Sequence, residues 1–259
     1  MYQFGDNQET IRRARAITPQ LIAEANKIAG DETGVDIHAE HQQVFPILFG
    51  WWRFVTRTAE AIWHLDQAGF RVEAAPLVRN LIGHTYASIW LADNGVAALR
   101  ALQDYTVRQT NTLLKDMREK NWPAAEEIPD EPTPVFDFKD SAEEKTHNSL
   151  RGEIETFPNL VKAYGTPEMY PVYRHLSRYC HTTLTTATSY LHQGDDGNLS
   201  LLDVPADSAS RPDIIQTPIC LIQTGKVISP MIAGDPLRKV LDTAARDLGL
   251  PPNYQPKRY

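Results

Sequence analysis

Arginine and histidine occur together at two places in this sequence, within residues 79–86 and within residues 174–181. An arginine can hold a phosphate through two parallel hydrogen bonds and can stabilise negative charge that develops during a reaction. A histidine can act as an acid or a base near neutral pH. Both places are therefore candidate sites for acid–base chemistry beside a bound phosphate.

The first place lies in a segment that is otherwise apolar. Arg79 and His84 are five residues apart, which is about 140° around a helix, so the two side chains do not share a face. Asn80 and His84 are four residues apart and do share a face, so we expect Asn80 to orient the imidazole. A neighbouring helix or a second subunit would have to complete such a site.

The second place has the spacing of one helix face. Arg174, Ser177, Arg178 and His181 stand at positions i, i+3, i+4 and i+7. One continuous helix over about residues 170–192 would align them on a single polar face. We hypothesise that Arg174 and His181 form a second half of the site and that Ser177 and Arg178 contribute to binding. The alternative is a polar stripe that faces solvent or another helix.

The pattern of apolar residues predicts helices over most of the chain and no convincing strand. Such residues recur at three- and four-residue steps over about residues 8–29, 44–68, 72–93, 96–120, 170–192 and 236–248. Asn94 and Gly95 end one of these helices, and helical character returns near Ser141. The expected fold is all-α, a multi-helix bundle of about six to eight helices with a helical C-terminal extension.

Prolines and acidic residues indicate the boundaries between the parts of the chain. We predict a helical bundle domain over residues 1–193, with a proline-rich acidic loop near residues 122–140. Residues 194–213 are rich in Asp, Ser, Gly and Pro, which is typical of a linker. Residues 214–259 would form the helical C-terminal extension and a tail.

The composition excludes several classes of protein. The 259 residues carry a net charge of −7, so nothing attracts nucleic acid globally and any contact with RNA must be local. Cys180 and Cys220 form no C-x-x-C pair, which favours a reducing cytosol and a cytoplasmic location. No apolar run reaches the roughly 18 residues of a membrane span, so we expect no membrane partner, and no pattern predicts a cofactor.

Two blocks of sequence carry a resemblance to a known family. Glu-Ala-x-x-Leu-x-Arg spans Glu73 to Arg79, and Tyr-Arg-x-Leu-Ser-x-x-x-His spans Tyr173 to His181. Their order, with a tryptophan-bearing helix in between, resembles an uncharacterised bacterial all-helical family, a domain of unknown function. The resemblance covers roughly residues 44–191 and implies a helical bundle without an established activity.

A shorter pattern carries a second resemblance. Arg79, Asn80, His84 and Tyr86 are similar to the R-x4-H-x-Y signature of HEPN domains (higher eukaryotes and prokaryotes nucleotide-binding). That resemblance implies a helical bundle, often dimeric, that cleaves RNA without a metal in a toxin–antitoxin or defence system. Arg79 would contact the scissile phosphate, and His84 would assist proton transfer as the ribose 2′-hydroxyl attacks. Asn80 would support both residues, and Tyr86 would be a contact or a modification site.

The expected function is that of a HEPN-like RNA-cleaving or nucleotide-binding protein of a bacterial stress or defence system. Its partners would be RNA or a nucleotide, a second copy of the chain, and an antitoxin-type protein.

Two other classes of protein stay open. In a non-enzymatic interaction module, Arg79 would pair with a buried carboxylate such as Glu60 or Glu73 and fix helix packing. Glu60 is also a candidate binding residue, in a group with His64 one helical turn away. A metal-dependent helical oxidase would draw ligands from such pairs, but no second cluster has matching spacing, and we predict no metal.

Overall fold

The computed structural model describes residues 5, 7–31, 34–194, 197–206, 213–251 and 254–258. Within these residues it contains ten α-helices, two 3-10 helices (Ala39–His41 and Ser229–Met231) and one antiparallel hairpin. The elements are α1 (Gln8–Ala29), α2 (Phe45–Gln67), α3 (Arg71–Glu119), α4 (Pro123–Glu126), α5 (Ser141–Glu155), α6 (Phe157–Ala163), α7 (Met169–Ser177), α8 (Leu184–Thr188), β1 (Leu191–Gln193), β2 (Leu199–Leu201), α9 (Asp213–Ile228) and α10 (Arg238–Leu248). The predicted all-α bundle is confirmed. The structure has more helices than expected, because it includes the short helices α4, α6 and α8.

Helices α1, α2, α3 and α9 pack together around the core. The buried apolar residues of α2 recur at three- and four-residue steps, which puts one side of the helix against its neighbours: Leu48, Trp52, Val55, Ala59 and Ile62. Trp52 and Trp90 are among the largest side chains that are fully buried. Each such aromatic side chain contributes on the order of 2–3 kcal/mol to stability through burial.

Helices α9 and α10 lie in the predicted C-terminal extension and contribute to this same core. Helix α9 packs against α1, α2 and α3, and α10 packs against α1 and α9. A Cβ atom at Gly225 would lie 2.7 Å from Leu241 Cδ2, so glycine allows α10 to approach α9 closely. The predicted division of the chain into domains stays a prediction.

The long helix α3 changes direction at Gly95. This residue has φ 57° and ψ −134°, a backbone conformation that is strongly unfavourable for any residue with a Cβ atom. The helix therefore consists of two parts, one on each side of Gly95, as the Asn94-Gly95 pair predicts. The N-terminal part carries residues 79–86, and the C-terminal part packs on α5.

The single helix predicted over residues 170–192 is wrong. Helix α7 ends at Ser177, a turn follows, and then come the five-residue helix α8 and strand β1. The threonine-rich segment explains the break, because threonine hydroxyls bond to the local backbone in competition with a regular helix. Thr183 Oγ1 donates to the Arg178 carbonyl at 2.9 Å, and Thr186 Oγ1 donates to the Thr183 carbonyl at 2.8 Å.

The proline-rich segment near residues 122–140 is mostly loop, apart from α4, and it is fastened to α5. Phe136 and Phe138 contact the ring of His147, with centroids 4.6 Å and 5.2 Å away. His147 is buried, and its Nε2 lies 3.3 Å from Oδ2 of Asp104 on α3. The loop is thus anchored where α3 and α5 meet.

Candidate functional site

Helix α7 holds the side chain of Arg79 by two contacts. Arg79 Nε donates a hydrogen bond to Ser177 Oγ at 2.8 Å, and the Ser177 hydroxyl donates in turn to the Tyr173 carbonyl at 2.8 Å. The guanidinium carbon also lies 4.5 Å from the centroid of the Tyr173 ring, in a cation–π contact. The two sequence blocks, 73–79 and 173–181, are therefore in direct contact.

No carboxylate compensates the charge of Arg79 within the described part of the chain. The expected pairing with Glu60 or Glu73 is wrong there. Glu73 accepts a hydrogen bond from the hydroxyl of Tyr190, and Glu60 lies half-buried on α2, where its charge acts on Arg53. The remaining contact of the guanidinium is a weak one, from Nη1 to Asn80 Oδ1 at 3.4 Å.

His84 lies against α2 instead of α7. Its Nδ1 is 2.9 Å from the Asn80 carbonyl, and its ring centroid is 4.3 Å from that of Phe54, a residue that is 45% exposed. A carbonyl can only accept, so this contact places a proton on Nδ1, and in the neutral imidazole the lone pair is then on Nε2. The contact is with the backbone carbonyl of Asn80, and the Asn80 side chain contacts Arg79 instead of orienting the imidazole.

Arg79 and His84 thus flank one stretch of α3 while facing different neighbours. The contacts of Arg79 come from α7 and those of His84 from α2, as the angular separation predicts. The structure has no contact between the two side chains among the described residues. A ligand that touches both must lie across the exposed face of Asn80, between them.

Tyr86 supports the site from within the core. It is 3% exposed, and its hydroxyl donates to Thr166 Oγ1 at 2.9 Å. Its ring forms a T-shaped contact with that of Phe157, with the ring centroids 5.3 Å apart. The Phe157 ring stacks on that of Tyr173, with centroids 4.0 Å apart. Burial raises the pKa of Tyr86 to about 12. The aromatic contacts therefore link Tyr86 to the ring on which Arg79 rests.

The polar residues within residues 174–181 do not form one helical face. Arg174 and Ser177 lie on α7, Arg178 follows its last residue, and His181 lies in the turn beyond it. Of these four residues only Ser177 contacts Arg79, and Arg174, Arg178 and His181 are all exposed. The expected alignment of Arg174 with His181 is wrong because α7 stops before His181 is reached.

Two residues of the site, Tyr173 and Phe54, were not predicted from the sequence. Tyr173 belongs to the apolar stripe of the predicted helix, yet its ring supports Arg79. Its position four residues before Ser177 was the available signal, because the two share a helix face. No local pattern indicates Phe54, since its partner His84 lies on another helix.

The described residues contain no group of three or more His, Cys, Asp or Glu side chains arranged to hold a metal ion. In the same part of the chain, no helix has the length and apolar character needed to cross a membrane.

Comparison with protein families identifies the family of this chain. The sequence matches the profile described as "Family of unknown function (DUF5677)" over residues 45–198, more than half of the chain. The matched region runs from α2 to the hairpin and includes Arg79, His84 and α7. Comparisons with curated proteins and with solved structures gave no match. The expectation of an uncharacterised domain is confirmed, and the chain belongs to this family of unknown function.

Proposed function

We propose that this protein binds the phosphate groups of RNA at Arg79 and cleaves the RNA with the help of His84. The observation that carries this proposal is the uncompensated guanidinium of Arg79, oriented by Ser177 and Tyr173. A half-buried arginine without a carboxylate partner keeps guanidinium donors available for an anionic ligand. Phosphate suits this role, because a guanidinium binds it through two parallel hydrogen bonds.

The reaction that these two groups can support is an internal phosphoryl transfer. The ribose 2′-oxygen attacks the adjacent phosphorus and passes its proton to Nε2 of His84, the bond from phosphorus to the 5′-oxygen breaks, and that oxygen takes a proton from water. The products are a 2′,3′-cyclic phosphate and a 5′-hydroxyl. Arg79 stabilises the negative charge on the phosphoryl oxygens, and the Nδ1 contact with Asn80 keeps the His84 lone pair on Nε2.

The first experiment tests the class of reaction. The purified protein is incubated with a labelled single-stranded RNA in EDTA, and the same sequence with 2′-deoxyribose throughout serves as the matched control. We expect cleavage of the RNA alone, with cyclic-phosphate ends detected by mass spectrometry. Cleavage of the deoxy strand, or 5′-phosphate ends on the RNA products, would contradict the proposed mechanism.

The separation of Arg79 and His84 motivates a second part of the proposal, in which a second copy of the chain completes each site. In this arrangement, Arg79 of one copy and His84 of the other act on the same phosphate. Arg79→Ala protein and His84→Ala protein are mixed and refolded together. Activity is then expected to return, because each mixed dimer contains one intact site. Two inactive variants that stay inactive when mixed would place both residues of a site in one copy.

We further propose that this cleavage serves a bacterial stress or defence system in the cytoplasm, with an antitoxin-type protein as its inhibitor. Expression in a bacterial host is then expected to arrest growth, and His84→Ala is expected to relieve the arrest. Unimpaired growth at high levels of folded wild-type protein would contradict this role.

A second candidate function is a non-enzymatic interaction module. The observation that favours it is a group of exposed apolar side chains around the hairpin: Leu184, Leu199, Leu201 and Val204. Under this alternative, Arg79→Ala lowers the melting temperature and no RNA is cleaved. Measuring both quantities on one preparation separates the two functions.

A further inference from the structure

Helix α7 and the turn after it carry basic side chains and contain no acidic residue. Residues 169–194 contain no Asp or Glu, although the whole chain has 33 acidic residues. Within this segment, α7 and the turn after it carry four exposed basic side chains, Arg174, His175, Arg178 and His181, and a fifth, His192, lies on β1. We call the first four residues the α7 strip. None of them forms an ion pair with any other described residue.

Aromatic rings alternate with the α7 strip. The guanidinium carbon of Arg174 lies 6.0 Å from the centroid of Tyr170, and the ring of His175 meets that of Tyr179 at 5.6 Å. Tyr170 and Tyr179 are half-buried, so part of each side chain reaches solvent. Rings and guanidinium planes of this kind are the surfaces on which unpaired bases stack.

We infer that the α7 strip binds the backbone of single-stranded RNA and leads it to Arg79, an inference that rests on the proposed function. Arg79 lies directly beside α7, because its Nε bonds to Ser177 one turn after Arg174. The strip provides local attraction for phosphates in a protein whose net charge of −7 repels them overall. A single strand fits better than a duplex, because only unpaired bases can stack on Tyr170 and Tyr179.

The test measures binding instead of cleavage. Fluorescence anisotropy follows the affinity of the full chain for a labelled single-stranded oligouridine of about 12 nucleotides, within the usual span of such sites. The probe carries 2′-O-methyl groups so that it cannot be cleaved by the proposed reaction. The variant is Arg174→Gln with Arg178→Gln. The matched control is Arg238→Gln with Lys239→Gln, which removes the same charge from exposed positions on α10.

We expect the strip variant to bind at least about tenfold more weakly than the wild type. We also expect the magnitude of its slope of log affinity against log salt to be smaller by about 1.4. We expect the control variant to bind as the wild type does, and the melting temperatures of all three proteins to agree. Equal losses in both variants, tighter binding of a duplex, or absence of RNA binding by the wild type would overturn the inference. If binding depends on the strip but unmodified RNA is not cleaved, the inference stands and the proposed cleavage fails.

Discussion

The Nε of Arg79 and the Oγ of Ser177 are joined by a hydrogen bond of 2.8 Å, although 98 positions separate the two residues in the sequence. This bond fixes the guanidinium on α7 by one edge and leaves most of its other donors unused. The Tyr173 ring supports the same group from one face. The arrangement orients a positive charge without neutralising it, and the proposed function depends on this property.

The orientation of Arg79 is tested by Arg79→Lys. Lysine keeps the positive charge but has neither the Nε donor nor the planar group that stacks on Tyr173. We therefore expect Arg79→Lys to lose nearly as much kcat/KM in RNA cleavage as Arg79→Ala does. Cleavage by the lysine variant at the wild-type rate would show that charge alone is sufficient, and melting temperatures would verify that all three proteins are folded.

Asp104 is expected to be a major contributor to stability. Its carboxylate, nearly inaccessible to solvent, accepts hydrogen bonds from Arg108 Nε and Arg151 Nη1, both at 2.7 Å, and lies beside His147. Replacement by asparagine leaves two arginines without their counter-charge, so we expect Asp104→Asn to lower the free energy of unfolding by about 3 kcal/mol. Urea unfolding measures this change. Asp116→Asn, at an exposed position on the same helix, is the control and should change it by less than about 0.5 kcal/mol.

The same carboxylate predicts a dependence of stability on acid. Burial alone would raise the pKa of Asp104, but hydrogen bonds from Arg151, Arg108 and His147 outweigh burial and lower it to about 2. The unfolded chain titrates near 3.8, so the contribution is complete above about pH 4 and is lost as the pH falls towards 2. The loss amounts to about 2 kcal/mol, because one pKa unit corresponds to about 1.4 kcal/mol. Unfolding curves of wild type and Asp104→Asn between these pH values should converge, and parallel curves would contradict this explanation.

The break in α3 predicts a backbone effect at Gly95. A Cβ atom there would meet nothing within 4 Å, so the only cost of alanine is the conformation itself. We expect Gly95→Ala to destabilise the protein by about 1–3 kcal/mol, measured by thermal or urea unfolding. Gly50→Ala is the matched control, because Gly50 lies inside α2 and also has free space around it. A loss at Gly50 as large as that at Gly95 would contradict the backbone explanation.

Much of the fold follows from the sequence because its helices obey local rules. The apolar stripes of α1 and α2 and the glycine at 95 lie within short windows, so their helices were predicted to within about two residues. The segment after Ser177 was mispredicted because Leu184 and Leu191 continue the apolar spacing of α7. Leu184 is 82% exposed, and Leu191 lies in a strand. The spacing of apolar residues does not reveal that the threonines between them form hydrogen bonds with the backbone.

The candidate site was predictable only in part, for the same reason. Arg79, Asn80 and His84 are close in the sequence, and their angular relation on a helix is fixed by geometry. The sequence favours a carboxylate such as Glu60 or Glu73 as the partner of Arg79, because a buried guanidinium usually has one. Ser177 and Tyr173 are its actual partners, and only the packing of α7 on α3 brings them there.

The most direct test is the single-turnover rate of RNA cleavage in EDTA for wild type, Arg79→Ala and His84→Ala. His192→Ala provides the control, because His192 is exposed on β1. We predict a rate at least about 100-fold lower for each of the first two variants, since each lost group normally contributes that much, and an unchanged rate for the control. Wild-type rates in folded Arg79→Ala or His84→Ala protein would contradict the proposed roles of these two residues in cleavage.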